Sequence, residues 1–129
     1  MAKIKKFEDI ESWKRARSLA RDIYAVTASG KFARDFGLKD QIRRASVSIL
    51  SNIAEGFERG GDKEFMQFLA LAKGSSGEAR AQLYVALDQE YISPAQFETL
   101  TGAATEISQL ISGFMKYLNE STLRGSKYR

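Results

Sequence analysis

The sequence predicts an all-α protein: an antiparallel up-down-up-down four-helix bundle in a single domain covering residues 1 to 129. Three observations carry that prediction. Apolar residues recur at spacings of 3 and 4 through most of the chain, while the period-2 alternation of a half-buried strand is essentially missing. One proline and no cysteine leave long stretches with neither a backbone break nor a covalent staple. The connections between periodic segments are short enough to make sequential helices antiparallel neighbours. At 129 residues and 43% apolar content the chain has the size at which one core closes one domain.

The first helix is predicted over about residues 9 to 29, with Trp13, Ala16, Ala20, Ile23 and Thr27 on one face and Gly30 as its stop. A loop, 31 to 36, follows. The second helix, about 37 to 59, carries two apolar stripes. Leu38, Ile42, Ala45, Ile49 and Ile53 form one, and Val47, Leu50, Ala54 and Phe57 the other, so this helix is buried on more than one side. Gly60 and Gly61 end it.

The third helix is predicted over about 62 to 90, with Asp62 as its cap. Lys73-Gly74-Ser75-Ser76-Gly77 has the composition of a linker, but Phe65, Leu69, Ala72, Ser76, Ala79, Leu83 and Ala86 keep a 4-3 register across it, which an interrupting loop would preserve only by chance. One continuous helix is the consequence, and its two interior glycines imply that a neighbouring backbone approaches closely. The fourth helix, about 94 to 119, opens on Ser93 as N-cap, Pro94 at the first helical position and Gln96 closing a capping box. Phe97, Leu100, Ala104, Ile107, Ile111, Phe114 and Leu118 are its seam. The tail after Asn119 shows no periodicity and is predicted to be loose.

Composition removes most enzymatic chemistry. There is no histidine and no cysteine, hence no Ser-His-Asp or Cys-His arrangement, no thiolate metal site, and none of the Glu-x-x-His pairs with which di-iron bundles hold metal. Neither a Walker loop nor a dinucleotide fingerprint is present. Glu55 and Glu58 lie one turn apart, but two carboxylates on a helix face are ordinarily solvated or ion-paired. The expectation is a non-enzyme with no cofactor, no metal, no small-molecule substrate and no membrane partner. No apolar run nears the roughly 18 residues of a membrane helix and no signal peptide is recognisable, so a cytoplasmic location is expected.

Binding features remain. Residues 1 to 61 hold thirteen Lys/Arg against eight Asp/Glu, whereas 62 to 129 hold seven against eight, so the +4 charge is concentrated in the first half. Lys14, Arg15, Arg17 and Arg21, preceded by Lys3, Lys5 and Lys6, suit phosphate neutralisation; the alternative is a solvated face offset by Glu8, Asp9, Glu11 and Asp22. Arg43 and Arg44, on a mostly apolar helix, either bind phosphate or pair with Asp40 and Glu55 across subunits. The fourth helix carries a second stripe, Thr101, Thr105, Ser108, Ser112 and Met115, with Gly102 and Gly113 nearby and few charges. It is predicted to pack against another subunit, the alternative being a low-charge solvated face.

The segment Gln41-Ile42-Arg43-Arg44-Ala45-Ser46-Val47-Ser48-Ile49-Leu50-Ser51-Asn52-Ile53-Ala54-Glu55-Gly56-Phe57 resembles the signature of the bacterial 23S rRNA intervening-sequence proteins, also called S23-like proteins. Phe7-Glu8-Asp9-Ile10-Glu11-Ser12-Trp13-Lys14, Phe36-Gly37-Leu38, the stretch from Glu64-Phe65 through Phe68-Leu69 to Ala72-Lys73-Gly74-Ser75, and Tyr91-Ile92 extend the resemblance over about residues 7 to 92. Leu50 stands where the family commonly has proline, which removes a kink or leaves it milder. Of a Leu-Ala-Glu run near Gly77-Glu78 only the glutamate is kept.

The resemblance implies a four-helix bundle assembling into a ring, often a pentamer, associated with ribosomal RNA; related bundles serve as accessory proteins of retroelements. It brings no catalytic residues. Its characteristic polar positions fall on Arg43, Arg44, Ser48, Asn52, Glu55 and Lys73. The functional expectation is thus a homo-oligomeric RNA-associated protein using Lys14, Arg15, Arg17, Arg21, Arg43, Arg44 and Lys73, with a protein-protein adaptor lacking any RNA role as the alternative.

Overall fold

The computed structural model describes the backbone of residues 4 to 128 and the side chains of residues 4 to 120. A 3-10 turn, Phe7–Asp9, precedes five α-helices: α1 Glu11–Thr27, α2 Gly30–Arg34, α3 Phe36–Glu58, α4 Asp62–Asp88 and α5 Pro94–Tyr128. No strand occurs among the described residues.

Helix α1 is shorter than its predicted span at both ends. Ile10, extended, is its N-cap but has no side-chain acceptor to offer, and the residues before it form the 3-10 turn. Ala16, Ala20, Ile23 and Thr27 are buried as their spacing predicts, joined by Ser12 and Leu19. Gly30 does not stop α1. Its left-handed φ of 66° lies at the start of α2, a five-residue helix inside the predicted loop. That helix drives Phe32 into the core against Tyr91, with ring centroids 5.2 Å apart. A lone phenylalanine in so short a segment has no period to announce it.

Asp35 then does two things at once. Its Oδ1 accepts from the Leu38 N–H at 3.1 Å, capping α3, and its Oδ2 accepts from the Tyr91 hydroxyl at 2.9 Å. Along α3, Ile42, Ala45, Ile49 and Ile53 are buried, while Leu38 and three members of the second stripe, Leu50, Ala54 and Phe57, are half-buried. Val47 is exposed. Gly60, at φ 85°, turns the chain toward α4, whose N-cap is Gly61 with Asp62 as the first helical residue rather than the cap.

Helix α4 is continuous, and all seven residues of its predicted register, Phe65 to Ala86, are buried. The alanines and Ser76 keep this seam thin. It ends in a Schellman motif: the Tyr91 N–H donates to the Ala86 carbonyl and the Glu90 N–H to the Leu87 carbonyl, each at 2.9 Å, with Glu90 at a left-handed φ of 61°. Both arms of the predicted capping box of α5 form, the Ser93 N–H to Gln96 Oε1 at 2.8 Å and the Gln96 N–H to Ser93 Oγ at 3.1 Å. Helix α5 continues to Tyr128, where a loose tail is predicted after Asn119. Nothing after Pro94 is a proline, and each added residue of an existing helix brings its own backbone hydrogen bond without a new nucleation cost.

Helix α3 meets α4 at Gly56 beside Phe65 and Phe68, at Ser48 beside Ser75 (2.9 Å), and at Gln41 beside Gln82. Helix α4 meets α5 where Phe65 edges onto Phe114, where the buried Ser76 hydroxyl donates to the Ala104 carbonyl at 2.8 Å, and where Tyr84 edges onto Phe97. Helix α1 lies against α3 and α5, and side chains from α1 through α5 join in one buried cluster.

Candidate nucleic-acid interface

The outward face of α1 gathers three of the four predicted helix-one cations. Lys14, Arg17 and Arg21 follow one another at spacings of 3 and 4, so they share a side of the helix and, with Trp13 and Ser18, line a groove of about 350 Å³. Trp13 is anchored from beneath by the edge of Phe7, at 5.2 Å between centroids, and the Arg17 guanidinium stands 5.9 Å over its ring. Its indole N–H is buried and has no acceptor among the described residues. Lys14 and Arg17 have no carboxylate within ion-pair distance among the described residues, and Arg21 reaches Asp22 only at 4.0 Å, both side chains being well exposed. The site is a set of weakly compensated cations around an indole.

Arg15, the fourth member of the predicted set, points elsewhere. Its Nε donates to Glu11 at 3.0 Å and its Nη1 pairs with Glu106 on α5. The hydrogen bond to Glu11, with the charge of Glu106 behind it, raises an already high guanidinium pKa. Arg15 is thereby committed to the contact between α1 and α5.

Arg43 is half-buried and clamps α3 to the end of α1. Its Nε donates to Thr27 Oγ1 at 2.8 Å, its Nη2 to the Tyr24 carbonyl at 3.3 Å, and its guanidinium lies 4.2 Å over the Tyr24 ring. Thr27 is in turn held by its bond to the Ile23 carbonyl. A cation here also meets the negative end of the α1 dipole. Arg44 is exposed and pairs with Asp40 one turn back at 2.9 Å; Glu55 is taken by Arg59 in the same way. Both pairs form inside the chain.

The remaining predicted residues are scattered. Ser48 and Asn52 belong to the contact between α3 and α4: Asn52 donates to the Ser48 carbonyl and hydroxyl at 2.8 and 2.9 Å, and Ser48 meets Ser75. Lys73 is exposed on α4, which packs against α3 and α5, so it is not part of the α1 groove. On α5, Ser108 donates to Ser76 at 3.1 Å, Thr101 to its own helix at Phe97, and Met115 packs on the core, so three of the five residues of the second stripe have contacts inside the chain. Thr105 and Ser112 are half-buried beside them.

Two aromatic rings of α1 are absent from the predicted site residues: Trp13, predicted for the core, half occupies it, and Tyr24, 44% exposed, lies under the Arg43 guanidinium and does not line the groove. Their signal was available: positions 13, 17, 21 and 24 are spaced 4, 4 and 3, an aromatic-flanked cation stripe. Among the described residues no helix is long and apolar enough to cross a membrane, and no group of three or more acidic, histidine or cysteine residues is placed to hold a metal ion.

Residues 8–113 match the family described as 23S rRNA-intervening sequence protein. The fold is similar to a crystal structure from Bacteroides thetaiotaomicron, a protein of unknown function from the S23 ribosomal protein family, with a TM-score of 0.75 and 24% identity over 81% of this chain and 95% of that one. No curated protein matches the chain. With the match covering most of its length, the chain belongs to the 23S rRNA-intervening sequence protein family.

Proposed function

We propose that this protein is a non-enzymatic, homo-oligomeric, RNA-associated bundle that takes phosphates on the outward face of α1. The observation that carries the reading is the groove over Trp13, where Lys14, Arg17 and Arg21 converge with little carboxylate compensation. Clustered cations beside a half-buried indole suit a nucleic-acid backbone, because neutralising phosphates releases counterions and the exposed part of the ring offers a surface to a base. The family description supplies the RNA context. Repetition of the groove in an oligomer turns weak single contacts into avidity.

The four long helices are read as an up-down-up-down bundle. In support, Gln41, Ser48 and Gly56 on α3 meet Gln82, Ser75 and Phe65 on α4 in reverse order, and Tyr84, Ser76 and Phe65 meet Phe97, Ala104 and Phe114 likewise. Arg15 meeting Glu106 near the middle of α5 fits the same alternation.

Trp13 is the only tryptophan, so its fluorescence reports directly on the groove. Titration with a 23S rRNA transcript should change that emission. Lys14→Gln, Arg17→Gln and Arg21→Gln together should weaken binding and lower the slope of log affinity against log salt by about 2 to 3 for each copy engaged. Arg15→Gln should leave the slope nearly unchanged. Equal affinity and slope for the triple variant and the parent chain would refute the assignment.

A further inference from the structure

Among the described residues Phe36 is the most exposed large apolar side chain, at 73%, and it takes no part in the core. It is the first residue of α3, and the Lys39 ammonium stands 5.1 Å from its ring centroid. Single exposed apolar residues are common, so the surroundings decide what this ring can do. From Gly30 to Lys39 three cations, Lys31, Arg34 and Lys39, stand against one acid, Asp35, whose carboxylate oxygens accept from the Leu38 N–H and the Tyr91 hydroxyl. None of the three cations reaches a carboxylate within ion-pair distance among the described residues.

The ring also lies on a line that runs into the α1 groove. Positions 36, 39 and 43 are spaced 3 and 4, so Phe36, Lys39 and Arg43 share a side of α3. Arg43 covers the Tyr24 ring at 4.2 Å, and Tyr24 follows Lys14, Arg17 and Arg21 on α1 at spacings of 3, 4 and 3. One continuous surface therefore carries five cations and ends on an open aromatic ring. It runs about 15 Å along α1, from Lys14 to Tyr24, and about 10 Å along α3, from Arg43 to Phe36.

We propose that this surface takes a single strand of RNA, with phosphates along the cations of α1 and α3 and an unpaired base stacked on Phe36. This rests on the RNA-associated reading and names the form of RNA that the surface fits. A duplex presents phosphates to the cations but keeps its bases stacked inside, so a ring on the protein surface has nothing to receive. Single strands, loops and bulges turn bases outward, where aromatic side chains stack on them. Every base has a ring face, so the contact tolerates many sequences. Charge argues against a second copy of the chain as the occupant. Lysine is depleted at the centre of protein interfaces, whereas here a lysine stands over the ring itself.

Fluorescence anisotropy tests this with a labelled single-stranded RNA of about 12 nucleotides and with the same RNA annealed to its complement. Phe36→Ala should weaken binding of the single strand about 5- to 100-fold, the range that loss of one stacked base gives. It should leave duplex affinity and the slope of log affinity against log salt unchanged, because no phosphate contact is lost. Phe36→Tyr should keep the parent affinity. Lys39→Gln should lower the single-strand slope by about 0.7 for each copy engaged. Since Phe36 is off the core, the Phe36→Ala protein should melt with the parent chain. Parent-like affinity of Phe36→Ala for the single strand, or an equal loss on the duplex, would overturn the base contact while leaving RNA binding by the α1 groove in place. A changed copy number in light scattering with RNA affinity intact would overturn it too, giving the ring to a neighbouring copy. Failure of the parent chain to bind either RNA would overturn both the base contact and the RNA-associated reading.

Discussion

Among the described residues, Gly56 is the glycine whose missing side chain the fold requires. An added Cβ would fall 2.6 Å from Phe68 Cβ and 2.9 Å from Phe65 Cδ1, about 1 Å inside the separation at which carbon atoms attract. The first of these contacts is with the root of a side chain, which no rotamer change relieves, so Gly56→Ala has to push α3 and α4 apart where they are closest. Overpacking of that kind costs about 1 to 3 kcal/mol, and the better helix propensity of alanine returns about 1. Because two contacts are violated at once, the upper part of that range applies, and the net loss is about 1 to 2 kcal/mol. With an unfolding entropy of about 2.1 cal/mol/K per residue, a chain of this length loses about 4 °C per kcal/mol, so Tm should fall by about 4 to 7 °C. Circular dichroism melts at matched protein concentration are the assay, since association makes Tm concentration-dependent. Gly102→Ala on α5 is the control: its Cβ meets nothing within 4 Å, so it should raise Tm by a few degrees. A Gly56→Ala protein melting at or above the parent temperature would refute the reasoning.

Arg43→Gln should lower stability by about 2 kcal/mol through loss of its bonds to Thr27 and Tyr24 and its stacking, while Arg44→Gln, which breaks only an exposed pair, should stay within about 0.5 kcal/mol; denaturant midpoints decide between clamp and surface residue. The hydrogen bond to Asp35, followed by desolvation and the charge of Asp35, raises the Tyr91 pKa above its usual value. The folded state therefore holds that proton more tightly, and the resulting stability is complete below about pH 10 and is lost as pH climbs through the folded-state value. Unfolding free energies measured from pH 8 to 12 should fall more steeply for the parent chain than for Tyr91→Phe, and equal slopes would contradict the assignment. Glu90→Gly should stabilise the end of α4 by about 0.5 to 1 kcal/mol, because a left-handed backbone penalises any Cβ, and an unchanged or lower melting temperature would count against strain at that turn.

Local signals and periodic patterns were legible before any coordinates. The helical class, the unbroken α4 across Gly74 and Gly77, and both arms of the Ser93–Gln96 cap follow from spacing and from side chains that act on their own backbone. These rest on interactions within a few residues, which a linear string records. Helix ends were less legible: α1 begins after an extended Ile10, α2 hides behind one phenylalanine, and α5 continues beyond the last apolar repeat.

The candidate site divides along the same line. That Lys14, Arg17 and Arg21 share a face is a property of helical spacing alone. That Arg15 turns to Glu106, 91 positions away in the chain, and that Arg43 closes on Thr27 and Tyr24 across two helices, are decided by which helices become neighbours. The same holds for glycine. Identical residues at 56 and 74 have opposite meanings, because Phe65 and Phe68 crowd one and nothing among the described residues lies within 4 Å of a Cβ at the other. Sequence by itself determined which residues lie on a common face of each helix, since 3.6 residues per turn is a local rule; only the tertiary structure decided what each face meets, since side-chain partners distant in sequence are chosen by packing.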